Sequence, residues 1–184
     1  MFPITKYVKK AFFPIVEPDG IIKPVILCLL EELDAAGIEE ICLIIDPEDQ
    51  REYDKLFKDY LPPDVVRRLS PQMLEYEAKI TRIGKKLTYV YQKEKLGLGH
   101  ATFLCQKFAG NDPVLLVLGD QLYKTNNNES CTSQFLNNYS KTGKLSVSVC
   151  EVNANDVSTI YARITDKAGN SIIISTDGNV VYTD

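Results

Sequence analysis

The sequence lacks three features that would assign it to a class at once: an excess of basic residues, an apolar run long enough to span a membrane, and a charged-then-apolar leader. Its 21 lysines and arginines are outnumbered by 25 aspartates and glutamates, which gives a net charge of −4. Because nucleic-acid binders usually present a basic face, this balance argues against such a partner. Without an apolar span or a leader, no membrane segment is predicted, and cytoplasm is the predicted location.

Cysteine is scarce and follows no pattern. No two of the five cysteines have the CxxC spacing of a zinc or redox site. Most of them lie in apolar runs, where a thiol acts as a small core side chain, so buried and reduced cysteines are predicted. The five are Cys28, Cys42, Cys105, Cys131 and Cys150.

Helix-like and strand-like segments alternate along the chain, over a length suited to a single domain, residues 1–184. The run DPVLLVLGD (112–120) is the clearest candidate for a buried strand. From residue 158 onward, short β segments are separated by turns. The predicted helices are 23–37, 49–61 and 99–110, and the predicted strands include 38–46, 86–92, 112–120 and 144–152. This order is typical of a layered α/β domain with a β-rich C-terminal portion.

The stretch YQKEKLGLGHATF places two glycines between a predicted strand and a predicted helix. Gly97 and Gly99 would let a ligand approach the backbone, but Thr102 stands where a dinucleotide fingerprint needs its third glycine. The ending of a P-loop is missing as well. Gln92 can both donate and accept hydrogen bonds, as reading the edge of a base requires. The alternative is a tight turn without a ligand, and no catalytic role is assigned to the sole histidine, His100.

Two stretches of the sequence contain charged residues that are candidates for phosphate chemistry. Asp120 follows the predicted strand 112–120, and ligands of open α/β sheets bind beyond the carboxyl ends of strands. A carboxylate there could hold Mg²⁺, or it could cap a turn. In the opening stretch MFPITKYVKKAFFPI, Lys6, Lys9 and Lys10 interrupt an apolar, proline-bounded segment. Such a lysine could neutralise a phosphate during transfer, or it could be solvated surface.

In this order, the three stretches resemble the sugar-1-phosphate nucleotidyltransferases, most of all the bacterial and archaeal UTP–glucose-1-phosphate uridylyltransferase (UDP-glucose pyrophosphorylase) group. FPITKYVKKAFFPI resembles that group's P-A-T-K-x-x-x-K-E-x-x-P segment, YQKEKLGLGHA its most diagnostic stretch, and PVLLVLGDQL its metal-binding strand. The resemblance implies a Rossmann-like α/β/α fold and a Mg²⁺-dependent reaction of a nucleoside triphosphate, with UTP expected, and a sugar 1-phosphate to an NDP-sugar and pyrophosphate.

The resemblance also implies roles for individual residues. Lys10 matches the family's phosphate-neutralising lysine, and Asp120 matches its first metal ligand. Gln92 and Gly97 match the base-reading pair, with Gly99 beside them in the nucleotide-binding stretch. Thr5, Lys6 and Pro14 match the frame of the opening segment.

The sequence departs from the family pattern at several points. The family's first strand and its glycine-rich loop, which precede the residues matching MFPITK, have no counterpart, and Ala162 replaces a glycine. The expectation is therefore an incomplete copy that has little or no pyrophosphorylase activity by itself. A non-catalytic nucleotide-binding or regulatory module is the alternative. A thymine base would suit Gln92 and Gly97 as well as uracil does. These residues do not determine the sugar. Whether the chain forms a homo-oligomer is left open.

Overall fold

The computed structural model describes residues 2–125 and 128–147 in full, and the backbone of residues 161–165, 171–175 and 180–182. The chain divides into two compact units, residues 1–132 and 133–184. None of the helices in this described part is long and apolar enough to cross a membrane.

The first unit contains six helices and four strands among its described residues. The strands are β1 (Pro14–Val16), β2 (Ile22–Pro24), β3 (Ile41–Ile45) and β4 (Leu87–Tyr91). The helices are α1 (Val25–Ala35), α2 (Gln50–Phe57), α3 (Pro63–Val66), α4 (Pro71–Gly84), α5 (Leu98–Leu104) and α6 (Gln106–Ala109). β1 and β2 form an antiparallel hairpin, whereas β3 and β4 pair in parallel, from Ile41 with Leu87 to Ile45 with Tyr91. Parallel pairing across intervening helices confirms the predicted α/β class.

The core of this unit forms around α1. Its apolar stripe buries Ile26, Leu30 and Leu33 against both ends of β3 and against α2 and α4, and Leu30 and Ile83 have the least exposed side chains of the described residues. α4 approaches α2 closely at Gly84. The approach is so close that a Cβ at this position would collide with the backbone carbonyl of Phe57. The sequence predicted α1 and β3 correctly, since the helical stripe and the short apolar run are both strong local signals.

The prediction of a strand at 112–120 is wrong. Residues 113–118 belong to no helix and no sheet, and Val114 and Leu116 are 62% and 50% exposed. Leu115 and Val117 still pack against the core. The apolar run has strand-like alternation but no neighbouring strand among the described residues, and a strand is stabilised only by its ladder.

Two helix boundaries also differ from prediction. α2 ends at Phe57, four residues before the predicted end of this helix at residue 61, and Tyr60 beyond it is 90% exposed. The helix predicted at 99–110 begins at Leu98 and is broken at Cys105 into α5 and α6. Gly110, with a positive φ of 57°, ends α6 where the sequence predicted.

The second unit contains most of helix α7 (Cys131–Thr142) and a three-stranded antiparallel sheet. Its strands are β5 (Tyr161–Thr165), β6 (Ser171–Ser175) and β7 (Val180–Tyr182), in the order β5-β6-β7. Ala162 pairs with Ile174 in this sheet. The predicted β-rich C-terminal portion is confirmed. Of the strand predicted at 144–152, residues 144–147 belong to no ladder, and the remainder lies outside the described residues.

A buried ionic cluster joins the hairpin to α1 and α4. Lys23, 7% exposed, donates to Asp19 at 2.9 Å and to Glu31 at 3.0 Å, and Glu31 also accepts from Lys79 at 2.8 Å. Burial acts to lower the pKa of Lys23, but the hydrogen bonds to the two carboxylates outweigh it and raise the pKa above its ordinary value. The folded state therefore holds Lys23 charged, and loss of its ammonium would leave Glu31 half-paired.

We expect Lys23→Ala to lower the free energy of unfolding by about 2–3 kcal/mol, because removing one member of a buried ion pair leaves a poorly compensated charge. Lys85, exposed at the end of α4, offers a matched control, and Lys85→Ala should change stability by no more than ~0.5 kcal/mol. Urea unfolding followed by circular dichroism measures both. Equal stabilities of the two variants would contradict a structural role for the cluster.

Candidate active site

Lys10 and Asp120, 110 positions apart in the sequence, lie side by side. The Lys10 ammonium donates to an Asp120 carboxylate oxygen at 3.4 Å (Nζ to Oδ2), and the two side chains are 58% and 48% exposed. An exposed pair of this kind contributes no more than ~1 kcal/mol to stability. The pair therefore does little for the fold and leaves both charges open to a ligand.

The backbone on the Lys10 side is held by the core. Lys10 begins a short 3-10 turn, Lys10–Phe12. The Phe12 ring lies 4.8 Å from that of Tyr53 on α2, and the Val25 N–H at the start of α1 donates to the Phe13 carbonyl at 3.0 Å. Lys10 thus projects from an anchored segment, not from a mobile tail.

On the opposite side of the pair, Asp120 lies in a turn closed by the Gln121 N–H, which donates to the Leu118 carbonyl at 3.2 Å. The Asp120 carboxylate caps no backbone N–H among the described residues; its partner is Lys10. The neighbouring lysine Lys9 pairs instead with Asp49 at 3.0 Å. Lys6 lies at the end of the 3-10 turn Ile4–Lys6, with its ammonium 6.0 Å from the Phe2 ring.

Gln92, directly after β4, forms the second cluster with Gly97 and His100. Its backbone N–H donates to the Ile45 carbonyl at 2.9 Å and so extends the parallel ladder. Its side-chain nitrogen lies 3.1 Å from the Gly97 carbonyl and 3.2 Å from Nδ1 of His100. A carbonyl only accepts, so the amide nitrogen must face Gly97, and His100 Nδ1 must then accept the second amide hydrogen.

The hydrogen bonds of Gln92 determine which groups of Gln92 and Gly97 are left to bind a nucleotide base. Both hydrogens of the Gln92 amide are used, so Oε1 remains as an acceptor, with no partner among the described residues. The Gly97 N–H is likewise without an acceptor in the described part of the chain. An acceptor beside a donor is complementary to the imide edge of uracil or thymine, in which an N–H is flanked by carbonyls.

Gly97 also fixes the start of α5. Its φ of +89° belongs to the region that favours glycine, and its carbonyl accepts from the Ala101 N–H at 3.1 Å. Gly99, by contrast, lies within α5, exposed and without a close neighbour. The two glycines, which were predicted together, therefore differ, because only Gly97 has a backbone conformation that favours glycine.

The described residues contain no group of three or more His, Cys, Asp or Glu side chains that could enclose a metal ion. Mg²⁺ is commonly held by one or two carboxylates together with substrate phosphates and water. Asp120, half-exposed and next to an ammonium, fits a metal that arrives with a triphosphate. It does not fit a preformed protein cage.

The two clusters approach the same space. Ala11, next to Lys10, and Gly119, next to Asp120, line one cavity together with Gln92. The fold thus pairs Lys10 with Asp120 and Gln92 with Gly97, and sequence neighbours of the charged pair share one cavity with Gln92. Gly99 makes no contact with either pair.

Sequence reasoning missed two features of this region. His100 orients the Gln92 amide, and its spacing of one helical turn from Gly97 was the available signal.

Cys42 on β3 lies 3.1 Å from Cys105 (Sγ to Sγ), a proximity that no spacing rule predicts. The four cysteines of the described residues are free, as predicted, but half-buried rather than buried. Burial and the adjacent thiol raise the pKa of Cys42 to about 12.

We predict that the chain binds UTP more tightly than CTP and that His100→Ala reduces this preference by about 3- to 10-fold, because the Gln92 amide loses the acceptor that orients it. His100→Asn should restore the preference, since the asparagine carbonyl can take the place of Nδ1. Competition titrations with the two nucleotides give the ratio. A ratio unchanged in His100→Ala, or lost equally in both variants, would contradict the positioning role.

The chain is similar to known proteins of one family. Residues 1–159 match the family model described as nucleotidyl transferase. UTP–glucose-1-phosphate uridylyltransferase 1 of Staphylococcus saprophyticus is 30% identical over 160 residues, which is 82% of this chain and 50% of the relative. The corresponding enzyme of Staphylococcus epidermidis is 28% identical over 163 residues, 84% of this chain and 51% of the relative. The chain thus spans about half the length of the curated relatives it matches.

Solved structures have the same fold. A structure of apo-UDP-glucose pyrophosphorylase matches with a TM-score of 0.69 and 25% identity, over 97% of this chain and 65% of that one. A UDP-glucose pyrophosphorylase complexed with UDP-glucose matches with a TM-score of 0.68 and 23% identity, over 99% and 68%. The UTP-bound enzyme from Acinetobacter baumannii matches with a TM-score of 0.63 and 23% identity, over 77% and 48%.

Proposed function

The chain belongs to the nucleotidyl transferase family, and from that premise we propose that its site binds UTP and glucose 1-phosphate and serves the formation of UDP-glucose and pyrophosphate. Two observations support the proposal: Lys10 pairs with Asp120 across 110 positions of the sequence, and Gln92, which contacts Gly97, lines a cavity together with the neighbours of that pair. Relatives named for the same reaction support the choice of substrates.

Base recognition follows from the hydrogen bonds of Gln92. Its free Oε1 accepts from N3–H of uracil, and the Gly97 N–H donates to a neighbouring carbonyl of the ring. The N3 of cytosine is an acceptor and would face Oε1 without a proton between them. Because an unpaired polar contact costs about 1–3 kcal/mol, UTP is preferred over CTP. The name of the UTP-bound neighbour supports uracil over thymine.

The transfer itself requires positioning and charge neutralisation. An oxygen of the sugar phosphate attacks the α-phosphorus of UTP, a new P–O bond forms, and the bond to the bridging oxygen of the β-phosphate breaks, releasing pyrophosphate. Lys10 stabilises negative charge on the phosphates in this step. Asp120 would hold Mg²⁺, which supplies further charge neutralisation on the triphosphate. Since ligand binding inserts phosphate and metal between them, the Lys10–Asp120 ion pair should open on binding.

The alternative function is a nucleotide-binding or regulatory module without transfer. It keeps the pair Gln92–Gly97 and needs neither Lys10 nor Asp120 in a catalytic role. The contact of Gln92 with Gly97, which involves neither charged residue, is the observation that favours this candidate. The cytoplasmic location of the chain stays a prediction, and its oligomeric state is left open.

Formation of UDP-glucose from UTP, glucose 1-phosphate and Mg²⁺, followed by chromatography, distinguishes the candidates. Slow product formation that Lys10→Ala abolishes and Lys9→Ala retains supports the transferase. Lys9 is the matched control because it is equally exposed and pairs with Asp49. Tight UTP binding without any product supports the module. No binding of either substrate would overturn both.

A further inference from the structure

Cys42 and Cys105 form the one close thiol pair among the described residues. Their sulfur atoms lie 3.1 Å apart, although the two residues are 63 positions apart in the sequence. Cys28 and Cys131 are likewise half-buried but contact no other thiol in the described part of the chain. A disulfide has a sulfur–sulfur distance of about 2.0 Å, so the two sulfurs need to approach by only about 1 Å. The fold thus brings two thiols almost to bonding distance.

The two cysteines lie on elements that differ in how firmly they are held. Cys42 lies within β3, where it pairs with Thr88 in the parallel ladder. Cys105 lies at the break between α5 and α6, and its N–H donates to the carbonyl of Thr102, three residues earlier, at 3.1 Å. Because helix ends adjust more readily than a strand held in a ladder, the remaining approach falls to Cys105.

We propose that Cys42 and Cys105 form a reversible disulfide by exchange with a small-molecule disulfide, and that this bond clamps α5 onto β3. Disulfides of reducing compartments are typically transient, so a bond that forms and breaks by exchange suits the predicted cytoplasmic location. A half-buried pair is also open enough for a small oxidant to reach one of its sulfurs.

The exchange has two steps. The Cys105 thiolate attacks one sulfur of the small disulfide, a mixed disulfide forms, and the small thiolate that leaves takes up the proton released by Cys105. Cys42 then attacks the Cys105 sulfur, the bond to the small molecule breaks, and the second small thiol departs with the Cys42 proton. The two thiols of the chain lose two electrons in total, and the small disulfide is reduced to two thiols.

The surroundings of Cys42 determine the order of these steps. Burial and the adjacent Cys105 thiol raise the pKa of Cys42 to about 12, so Cys42 is protonated at neutral pH and does not attack first. In the mixed disulfide the Cys105 thiol is gone, which removes one cause of the raised pKa. Cys42 then acts as the second nucleophile, next to the sulfur that it must attack.

The disulfide changes how the elements around the base-reading pair are held. It closes a long loop of the chain that contains Gln92 and Gly97, and it ties β3 to the helix whose first turn carries His100. A crosslink over so long a loop restricts the unfolded chain, so the oxidised chain should be more stable than the reduced one. Its formation is measured without any nucleotide, so its failure would leave the proposed function standing.

The test treats the folded 184-residue chain with glutathione disulfide, blocks the remaining thiols with iodoacetamide, and maps the disulfides by mass spectrometry of an unreduced digest. We expect a peptide pair that joins Cys42 to Cys105, with all other cysteines alkylated. The melting temperature should rise by at least about 5 °C and return to its first value after dithiothreitol. A lasting glutathione adduct on either residue, or alkylation of both, would overturn the proposal.

Two variants and one change of solvent provide the controls. Cys28→Ala removes a half-buried thiol outside the pair and should keep both the crosslink and the rise in melting temperature, whereas Cys105→Ala should abolish both. In concentrated urea, loop closure favours cysteines that are close along the chain, so Cys42 should pair mainly with Cys28. An equal yield of the Cys42–Cys105 crosslink with and without urea would overturn the proposal, as would an undiminished rise in melting temperature in oxidised Cys105→Ala.

Discussion

Exchanging Asp120 for asparagine should remove most of the effect of Mg²⁺ on UTP binding. In the parent chain we expect Mg²⁺ to strengthen UTP binding at least about tenfold, because the carboxylate adds an oxygen ligand to a metal already held by the triphosphate. With asparagine the increase should fall below about threefold, since the amide oxygen carries no charge. Isothermal titration with and without a chelator measures both values.

Without metal, the same variant is expected to have the opposite effect on UTP binding. Asp120 is the anion 3.4 Å from the Lys10 ammonium, so asparagine removes a charge that repels the triphosphate and leaves Lys10 unpaired. In the presence of the chelator, Asp120→Asn should bind UTP at least as tightly as the parent. Asp112, exposed at the other end of the same segment, provides the control, and Asp112→Asn should keep the full response to Mg²⁺. If Asp120→Asn binds UTP more weakly than the parent chain both with Mg²⁺ and with the chelator, the assigned role is contradicted.

The second large effect is expected at the base-reading residue. Gln92→Leu keeps the approximate volume of the side chain and removes both the amide donors and Oε1. UTP affinity should fall about 10- to 100-fold, since the uracil N3–H and the Gly97 carbonyl lose their partners. CTP affinity should fall far less, so the two nucleotides should bind with affinities within about twofold of each other.

A matched variant separates base recognition from general destabilisation. Gln72, exposed on α4, makes no recorded side-chain hydrogen bond among the described residues. Gln72→Leu should therefore leave both affinities unchanged. Competitive displacement of a fluorescent uridine nucleotide measures all four constants. A Gln92→Leu chain that still prefers UTP by the parental ratio would show that the base is read elsewhere.

Local patterns predicted those elements whose partners are close in the chain or strongly apolar. α1, with its stripe of Ile26, Leu30 and Leu33, and the β-rich C-terminal portion are examples. Segment 113–118 has an equally strong apolar pattern but is not in a sheet. A strand depends on a neighbour that no local pattern supplies, and none of the strands that the structure describes pairs with this segment.

The candidate site shows a similar division. The resemblance named Lys10, Gln92, Gly97 and Asp120, and the fold pairs the first with the last and the middle two with each other. The spacing of His100 from Gly97 was the only sequence signal for its contact with the Gln92 amide, because the contact itself depends on the positive φ of Gly97 and on the register of α5. Side-chain orientation of this kind is a tertiary property.

The most direct test of the central claim is titration of the unmodified chain with UTP and with CTP, each in the presence of Mg²⁺. A site that reads the uracil imide edge and holds a metal-bound triphosphate should bind UTP at least about tenfold more tightly than CTP. Equal affinities for the two nucleotides, or no binding of either, would contradict it.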